Sequence, residues 1–216
     1  MVNKEVSYPR SIGVLLHPTA LPNSPVCGSF GSPSREWLLL LANQGIGVWQ
    51  FLPLCPPDST GSPYSSPSAF ALNPWFLDAN DLEEEGFLSP NSVKELPGQT
   101  EIRNPSVDFS LANDRIKKLG NLLRIDWPKQ SLERNKEFNQ WVSNNGWLED
   151  YVTFVELQRQ FEGLPWWKWP DEFRNYEINI LNKWRVVHEN NLLEHRLIQW
   201  HLNRQWILIR KLAKEL

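Results

Sequence analysis

Catalysis needs nucleophiles, acids, bases or metal ligands in company, and this sequence offers few such groupings. Its acidic residues fall in helical surface patterns or in the run Glu83–Glu85, which reads as a solvated face. No two carboxylates stand together at the ends of predicted strands, where acid–base chemistry would need them. Asp58 alone has such a position, in the loop after the second predicted strand, and it reads as a turn aspartate rather than a catalyst. His188, His195 and His201 are seven and six residues apart on late helices. That is not the i, i+4 spacing that puts two imidazoles on one metal. They read as surface or packing residues, and no metal site is expected. His17, at the end of an apolar run, reads as a hydrogen-bonded structural residue rather than a catalyst. No serine lies in a G-x-S-x-G elbow, and no glycine-rich loop is present to cradle a phosphate.

One stretch remains, GSPYSSPSAFALNP from Gly61 to Pro74. It holds four serines, three prolines, one tyrosine and no charge. Pro63 and Pro67 limit its freedom, which lowers the entropy lost when a ligand orders it. Ser62, Ser65, Ser66 and Ser68 can each donate and accept hydrogen bonds, and Tyr64 adds a flat ring with a hydroxyl at its edge. A sugar asks for neutral hydrogen-bonding partners at its rim and an aromatic surface at its face. Composition alone makes this a hint; a plain structured loop has the same residues.

The elements that would position this loop come before it. IGVLLH, Ile12 to His17, is a short apolar run closed by PTALPNSP and reads as a strand followed by a loop. SPSREWLLLLANQGI reads as a helix with Ser32 as N-cap, Pro33 at its first position and Gly45 as its stop; Trp37, Leu38, Leu41 and Ala42 share one face. GVWQFLPL, Gly47 to Leu54, is a second strand. Strand, helix, strand with short connections predicts a βαβ unit, and continuous apolar strands predict a parallel sheet buried on both faces. Ligand sites in such folds lie in the loops after the strands, which is where the serine–proline loop falls. Beyond it the chain reads as a short polar helix in LDANDLEEEGFLS, then a loop through PNSVKELPGQTEIRNPSVDFS. Helices follow over about 111–125, 132–145 and 148–161, then a long pair over about 173–216. The last of these carries apolar residues at Leu197, Trp200, Leu208 and Leu212.

Composition excludes several functions. The net charge is −3, with no basic excess to attract phosphate, so nucleic acid is not an expected partner. No apolar run reaches the length that spans a bilayer, and the N-terminus does not read as a signal peptide. Cys27 and Cys55 are too few for a disulfide framework and read as small buried hydrophobes, which points to a reducing cytoplasm. Twelve tryptophans are the outlier. Most fall at packing spacings in helices and read as core or interface, although an indole face also suits a sugar ring.

Several blocks together are similar to one family. RSIGVLLHPTALP, GSFG, VWQFLPLCPP and GSPYSSPSAFALNP resemble the opening of glycoside hydrolase family 77, the 4-α-glucanotransferases also called amylomaltases or disproportionating enzymes. FLDANDLEEEGFL, LPWWKWP and QWHLNRQWILIRKLAKEL continue the resemblance in order, over essentially the whole chain. The resemblance implies an α/β fold, the N-terminal part of a (β/α)8 TIM barrel with a largely helical insertion, the barrel being incomplete in this chain. Residues 1–76 would form the first βαβ part, with 55–76 the substrate-side loop. Residues 77–172 would be the helical insertion, and 173–216 the helices leading to the next barrel strand. It implies transfer of α-1,4-glucan segments between maltooligosaccharides or to glucose, with retention, through an Asp nucleophile and a Glu acid/base, without cofactor. By this resemblance Tyr64 matches the tyrosine that lines the donor sugar site, and Ser62 a nearby polar contact.

The chain also departs from the family's pattern. No position matches its catalytic carboxylates, which would lie beyond Leu216, so no catalytic residue is expected here. Ala20 stands where Ser is common and Leu72 where Gly is common; Ser59 lies near where some members carry an extra glucan-contacting aromatic. The chain is therefore expected to be inactive alone and, with a two-strand sheet and exposed apolar helix faces, to unfold partly or aggregate when expressed by itself. The alternatives are a non-catalytic glucan-binding or accessory protein, or one half of a split enzyme completed by a second chain.

Overall fold

The computed structural model describes residues 10–99 and 107–216. Readings placed on residues 1–9 and on 100–106 of the proline-bearing stretch lie outside the described residues. Strands β1 (Gly13–Leu15) and β2 (Val48–Gln50) pair in parallel, with Val14 opposite Trp49. Helix α1 (Ser32–Asn43) connects them, so the βαβ order is as predicted. It starts one residue early: Gly31 is the N-cap and Ser32 already helical, because the Ser34 hydroxyl donates to the Ser29 carbonyl at 2.6 Å and winds the chain in from that side.

The expected burial of both sheet faces does not hold. Ile12 is 70% exposed, and Leu15 and Val48 are exposed as well. Inside the sheet Trp49 faces the core, with its indole N–H donating to the Leu16 carbonyl at 2.7 Å. Alternation of this kind belongs to a sheet covered on one face. An apolar run states what a strand tolerates; a second layer must be present to bury it, and the described residues supply only one.

The rest is helical. Asp78 caps α2 (Ala79–Glu84) by accepting the Asn80 and Asp81 amides. Within the acidic run Glu84 is exposed, but Glu85 pairs with Arg204, so the run is only partly a solvated face. A short helix, α3 (Pro90–Lys94), replaces part of the expected loop. Ser89 accepts the Ser92 amide at 3.1 Å and Pro90 occupies the first turn, which is a helix-start signal in itself. Helices α4 (Phe109–Asp126), α5 (Leu132–Asn144) and α6 (Leu148–Gln160) lie close to their predicted bounds. The long pair is α8 (Ile178–Val187) and α9 (Glu189–Glu215), preceded by one turn, α7 (Asp171–Arg174).

Helix α9 packs on α1, α4, α5 and α6. Leu197, Trp200, Leu202 and Ile209 enter the larger core with Phe30, Phe76, Leu82 and Leu119. Leu192 enters a smaller one with Leu148, Val152 and Leu181. Leu208, placed on the buried stripe by its type, is about half exposed. The stripe instead runs Ile198, Leu202, Gln205, Ile209, at i, i+4, i+7 and i+11. A glutamine therefore stands where a hydrophobe was expected.

That glutamine and Gln199 each act as a neighbouring strand would. The Gln199 amide accepts from the Leu72 N–H at 2.9 Å and donates to the Leu72 carbonyl at 2.8 Å. The Gln205 amide does the same to Asp78, at 3.0 and 2.9 Å. Both side chains are almost fully buried. Six residues of helix rise about 9 Å, far less than six extended residues would span; the turn Pro74–Phe76 shortens the loop to match.

A second polar node joins α6 to α9. The Glu156 carboxylate, 1% exposed, accepts from Arg159 Nε and Nη2, from Asn191 Nδ2 at 2.6 Å and from His195 Nε2 at 3.4 Å. Burial would raise this carboxyl. The hydrogen bonds from His195, Arg159 and Asn191 outweigh it and hold the group at about 2. Nearby, Arg196 pairs with both Glu149 and Glu189.

Gln205→Leu keeps the volume but strands a buried N–H and a buried C=O, each costing about 1–3 kcal/mol; urea unfolding should show a loss of that order, larger than for Leu208→Ala at the exposed neighbour. For Glu156 the folded value lies below the unfolded one, near 4.5. Its contribution is thus complete above that pH and is lost as pH falls toward about 2. Glu156→Gln should lower stability at neutral pH and flatten the acid limb of the stability–pH curve; an unchanged acid limb would refute the assignment.

Candidate functional site

The loop after β2 is pinned at several points before it presents any side chain. At its start one oxygen of Asp58, Oδ1, accepts from the Thr60 N–H at 2.9 Å, the Thr60 hydroxyl at 2.6 Å and the Ser62 N–H at 3.0 Å. The Asp58 backbone completes the turn, donating to the Ser62 carbonyl and accepting from the Gly61 N–H. The bond from the Thr60 hydroxyl, then that from the Ser62 amide, lower the Asp58 pKa. This carboxylate is a turn fastener, with no proton to lend near neutral pH.

Gly61 takes φ +83°, and a β-carbon there would stand 2.4 Å from the Phe109 ring. Phe109 in turn stacks on Trp75, centroids 5.1 Å apart, and Trp75 Nε1 donates to Asn113 at 2.9 Å. At the far end Asn73 donates its N–H to the Leu54 carbonyl at 2.8 Å, closing the loop onto the end of the second apolar run. The Gln199 amide holds the adjoining Leu72. His17 ties the first loop to the second: Nδ1 lies 2.8 Å from the Thr19 hydroxyl and Nε2 3.5 Å from the Pro53 carbonyl, with desolvation lowering its pKa. The structural reading of His17 fits these contacts.

Between the pins, the hydroxyls serve the loop itself. Ser62 accepts the Tyr64 N–H at 3.3 Å and caps the single turn Pro63–Ser65. Ser66 accepts the Ser68 N–H and donates to the Ser68 carbonyl at 2.7 Å. Ser68 accepts the Phe70 and Ala71 amides. The rim of free hydroxyls inferred from composition is thus mostly a set of side chain-to-backbone turns. What the loop offers outward is aromatic. Tyr64 is 71% exposed and stands beside Ser62, so the two predicted site residues are brought together on one turn.

Other candidates are dispersed. His188 stacks on Trp184, centroids 4.3 Å apart. His195 joins Glu156, and His201 is wholly buried between Phe87 and Trp200, where desolvation and then Arg204 and Arg134 push its pKa well down. Among the described residues no group of three or more His, Cys, Asp or Glu side chains is arranged to hold a metal. Cys27 and Cys55 are mostly buried, each with a small exposed remainder. The Cys27 thiol donates to the Gly28 and Trp75 carbonyls, and burial pushes it up to about 12, so it is unreactive. Asp58 is the only carboxylate of the loop, and it is engaged. Sequence reasoning missed Gln199 and Gln205; six residues apart, they stand about 120° apart around the helix, so no shared face marked them as a pair.

The chain is similar to known proteins in sequence and in fold. The model of a family described as 4-alpha-glucanotransferase, glycoside hydrolase family 77, matches residues 16–216. The chain is 35% identical over 213 residues to a 4-alpha-glucanotransferase of Thermus thermophilus, covering 98% of this chain and 41% of that protein. It is 32% identical over 210 residues to the 4-alpha-glucanotransferase of Synechocystis sp., covering 95% and 41%. In fold it is similar to the amylomaltase of Streptococcus agalactiae solved in complex with acarbose, with a TM-score of 0.87 at 23% identity, over 96% of this chain and 41% of that one. The 216 residues thus span 41% of the length of these curated relatives. No helix among the described residues is long and apolar enough to cross a membrane.

Gly61→Ala should destabilise the chain by about 1–3 kcal/mol, since it combines a left-handed φ with a collision against Phe109. Pairing it with Phe109→Ala, which removes the collision but not the strain, should recover part of the loss in a urea melt; no recovery would exclude the ring as its source.

Proposed function

The chain belongs to the 4-alpha-glucanotransferase family, glycoside hydrolase family 77, and from that premise we propose that its serine–proline loop forms one wall of an α-1,4-glucan cleft. The observation that carries this reading is Tyr64: a ring 71% exposed, on a neutral loop fastened to Leu54 beyond β2, to Gln199 and to Asp58. A fastened loop loses little entropy when a sugar settles on it. Tyr64 would stack under a glucose ring and the Ser62 hydroxyl, already accepting the Tyr64 amide, would donate its proton to a sugar oxygen.

The reaction we assign to the whole enzyme is transfer of a glucan segment to another glucan or to glucose, with retention. Retaining chemistry needs two carboxyl groups about 5 Å apart on either side of the scissile bond. The loop has one, Asp58, and it is bound into its own turn. We therefore assign this loop to the binding wall of the enzyme and the nucleophile and acid/base to residues outside it. Maltooligosaccharides are the expected ligands, and the cytoplasm, where the free thiols of Cys27 and Cys55 would stay reduced, is the expected compartment.

The architecture we infer is the start of a (β/α)8 barrel. The exposed side chains of Ile12, Leu15 and Val48 support it, because a parallel sheet is stable when both faces are covered. Further barrel strands, in the same polypeptide or in a second one, would supply that cover.

Incubated with maltotriose, the 216-residue chain should release no glucose above the level of its Tyr64→Ala variant, while maltotetraose should bind the native chain about tenfold more tightly than the variant, the scale of one aromatic contact. Equal affinity would remove Tyr64 from the site. Turnover above the variant would show that catalytic groups are present after all.

A further inference from the structure

The far end of the same loop opens onto a second cleft, which Tyr64 does not line. It encloses about 550 Å³ between Pro67–Phe70 and the segment from α6 to α8, a volume in the range of small-ligand sites. Its walls are rings left open to solvent: Phe70 is 70% exposed, Tyr176 51% and Trp166 50%. Phe70 lies nearly parallel to Trp147, at 19° with centroids 6.2 Å apart. Trp166 is set edge-on to Trp167 on the turn Trp166–Lys168. Three large rings exposed around one cavity is an arrangement that marks a binding site more than a core.

Polar groups stand at the edge of these faces. The Tyr176 hydroxyl donates to the Asp150 carboxylate, which also pairs with Arg185 at 3.2 Å. Asp150 keeps 63% of its side chain exposed, leaving acceptor capacity toward the cleft. Arg174, also on the lining, is bridged to Asp171 at 2.6 Å. Each charge at the rim is therefore balanced by a neighbour. Tyr176 adopts φ +56°, a left-handed conformation that costs a residue with a β-carbon about 1 kcal/mol or more and that persists where surrounding structure enforces it. Flat apolar faces, a neutral rim, and a hydroxyl and a carboxylate at the edge match a pyranose, with its C–H faces and hydroxyl rim. A charged ligand would meet no uncompensated partner, and a purely apolar one would strip water from Asp150 without replacing it.

We propose that this cleft is a second α-glucan-binding site, in which a glucose unit lies against Phe70 and Trp166 with its hydroxyls bonded to Asp150 and Tyr176. The choice of glucose over other neutral sugars rests on the glucan reading of the Tyr64 face; the cleft itself is argued independently of it. Phe70 follows Tyr64 by six residues on one pinned loop. A glucan that reached both faces would make its second contact intramolecularly and bind longer chains in preference to short ones.

The test is an indole N–H titration of the full 216-residue chain with maltotetraose, alongside Tyr64→Ala, Phe70→Ala and Trp166→Ala. The Trp147 and Trp166 indoles should shift saturably in the native chain and in Tyr64→Ala. Phe70→Ala and Trp166→Ala should each weaken that response about tenfold, while the Tyr64 ring resonances still respond. Native-like indole dispersion establishes folding; should Phe70→Ala lose it, Trp166→Ala, altered at an exposed turn, decides. Saturable binding at Tyr64 with both indoles unmoved would overturn the second site and leave the first. An indole response with a silent Tyr64 would uphold the second site and overturn the first. A folded chain that binds no maltotetraose would overturn both.

Discussion

Two glutamine side chains on α9 carry a task that parallel sheets usually give to a neighbouring strand. The segment from Leu72 to Asp78 leaves the loop, turns through Pro74–Phe76 and enters α2. It is buried at Asn73, Phe76, Leu77 and Asp78 and lies in no sheet. Its backbone amides and carbonyls would be costly there without partners. Gln199 and Gln205 each supply one donor and one acceptor in the geometry a strand residue would present. Much else follows from that arrangement. Asp78 is held so that it caps α2 and accepts the Ser29 hydroxyl at 2.5 Å. Asn73 is held so that it closes the loop on Leu54. Arg35 then reaches Asp81 with two nitrogens, locking α1 to α2.

The same constraint explains why a loop rich in serine and proline is not a floppy one. Its ends are fixed by side chain-to-backbone bonds from distant residues, and its interior by bonds between neighbours. Most of its serines are absorbed in this local work, which leaves the rings of Tyr64 and Phe70 as what the loop offers to solvent. Ring faces on a rigid support bind with little conformational cost. The support also explains the role of Asp58: a carboxylate with three donors on one oxygen cannot double as a proton shuttle, but it can keep Ser62 and Tyr64 in place.

Helix α9 is also where the two cores meet. On one side it contributes Leu197, Trp200 and Ile209 to a core that reaches the sheet through Trp49; on the other it contributes Leu192 to the core of α6 and α8. Between them the Glu156 and Arg196 clusters pair buried charge with charge. Such pairs add little when intact but penalise misdocking, since a buried carboxylate without its partners is strongly unfavourable. They fix the register of α6 on α9, and with it the position of Trp147 and Asp150 opposite the loop.

By itself the sequence determined the βαβ order, the bounds of the long helices and the family. These follow from short-range signals: apolar runs, the stop at Gly45, and blocks of residues such as HPTALP and SPYSSPSAFALNP. It also placed Tyr64 and Ser62 on one turn, since residues two apart on a proline-braced loop cannot be far apart. What it could not determine is how polar groups are used. Four serines look alike in composition; only the folded loop decides that Ser62, Ser66 and Ser68 bond to its own backbone. A glutamine in a helix looks solvated until α9 packs on residues 127 positions earlier in the chain. The burial of β1 and β2 was likewise undecidable, because an apolar strand carries the same letters whether or not a second layer covers it. Leu208 and Ile209 were distinguishable only by the direction in which α9 faces. Local order is written in neighbouring residues, whereas burial and polar pairing are properties of surfaces that meet only in the folded chain.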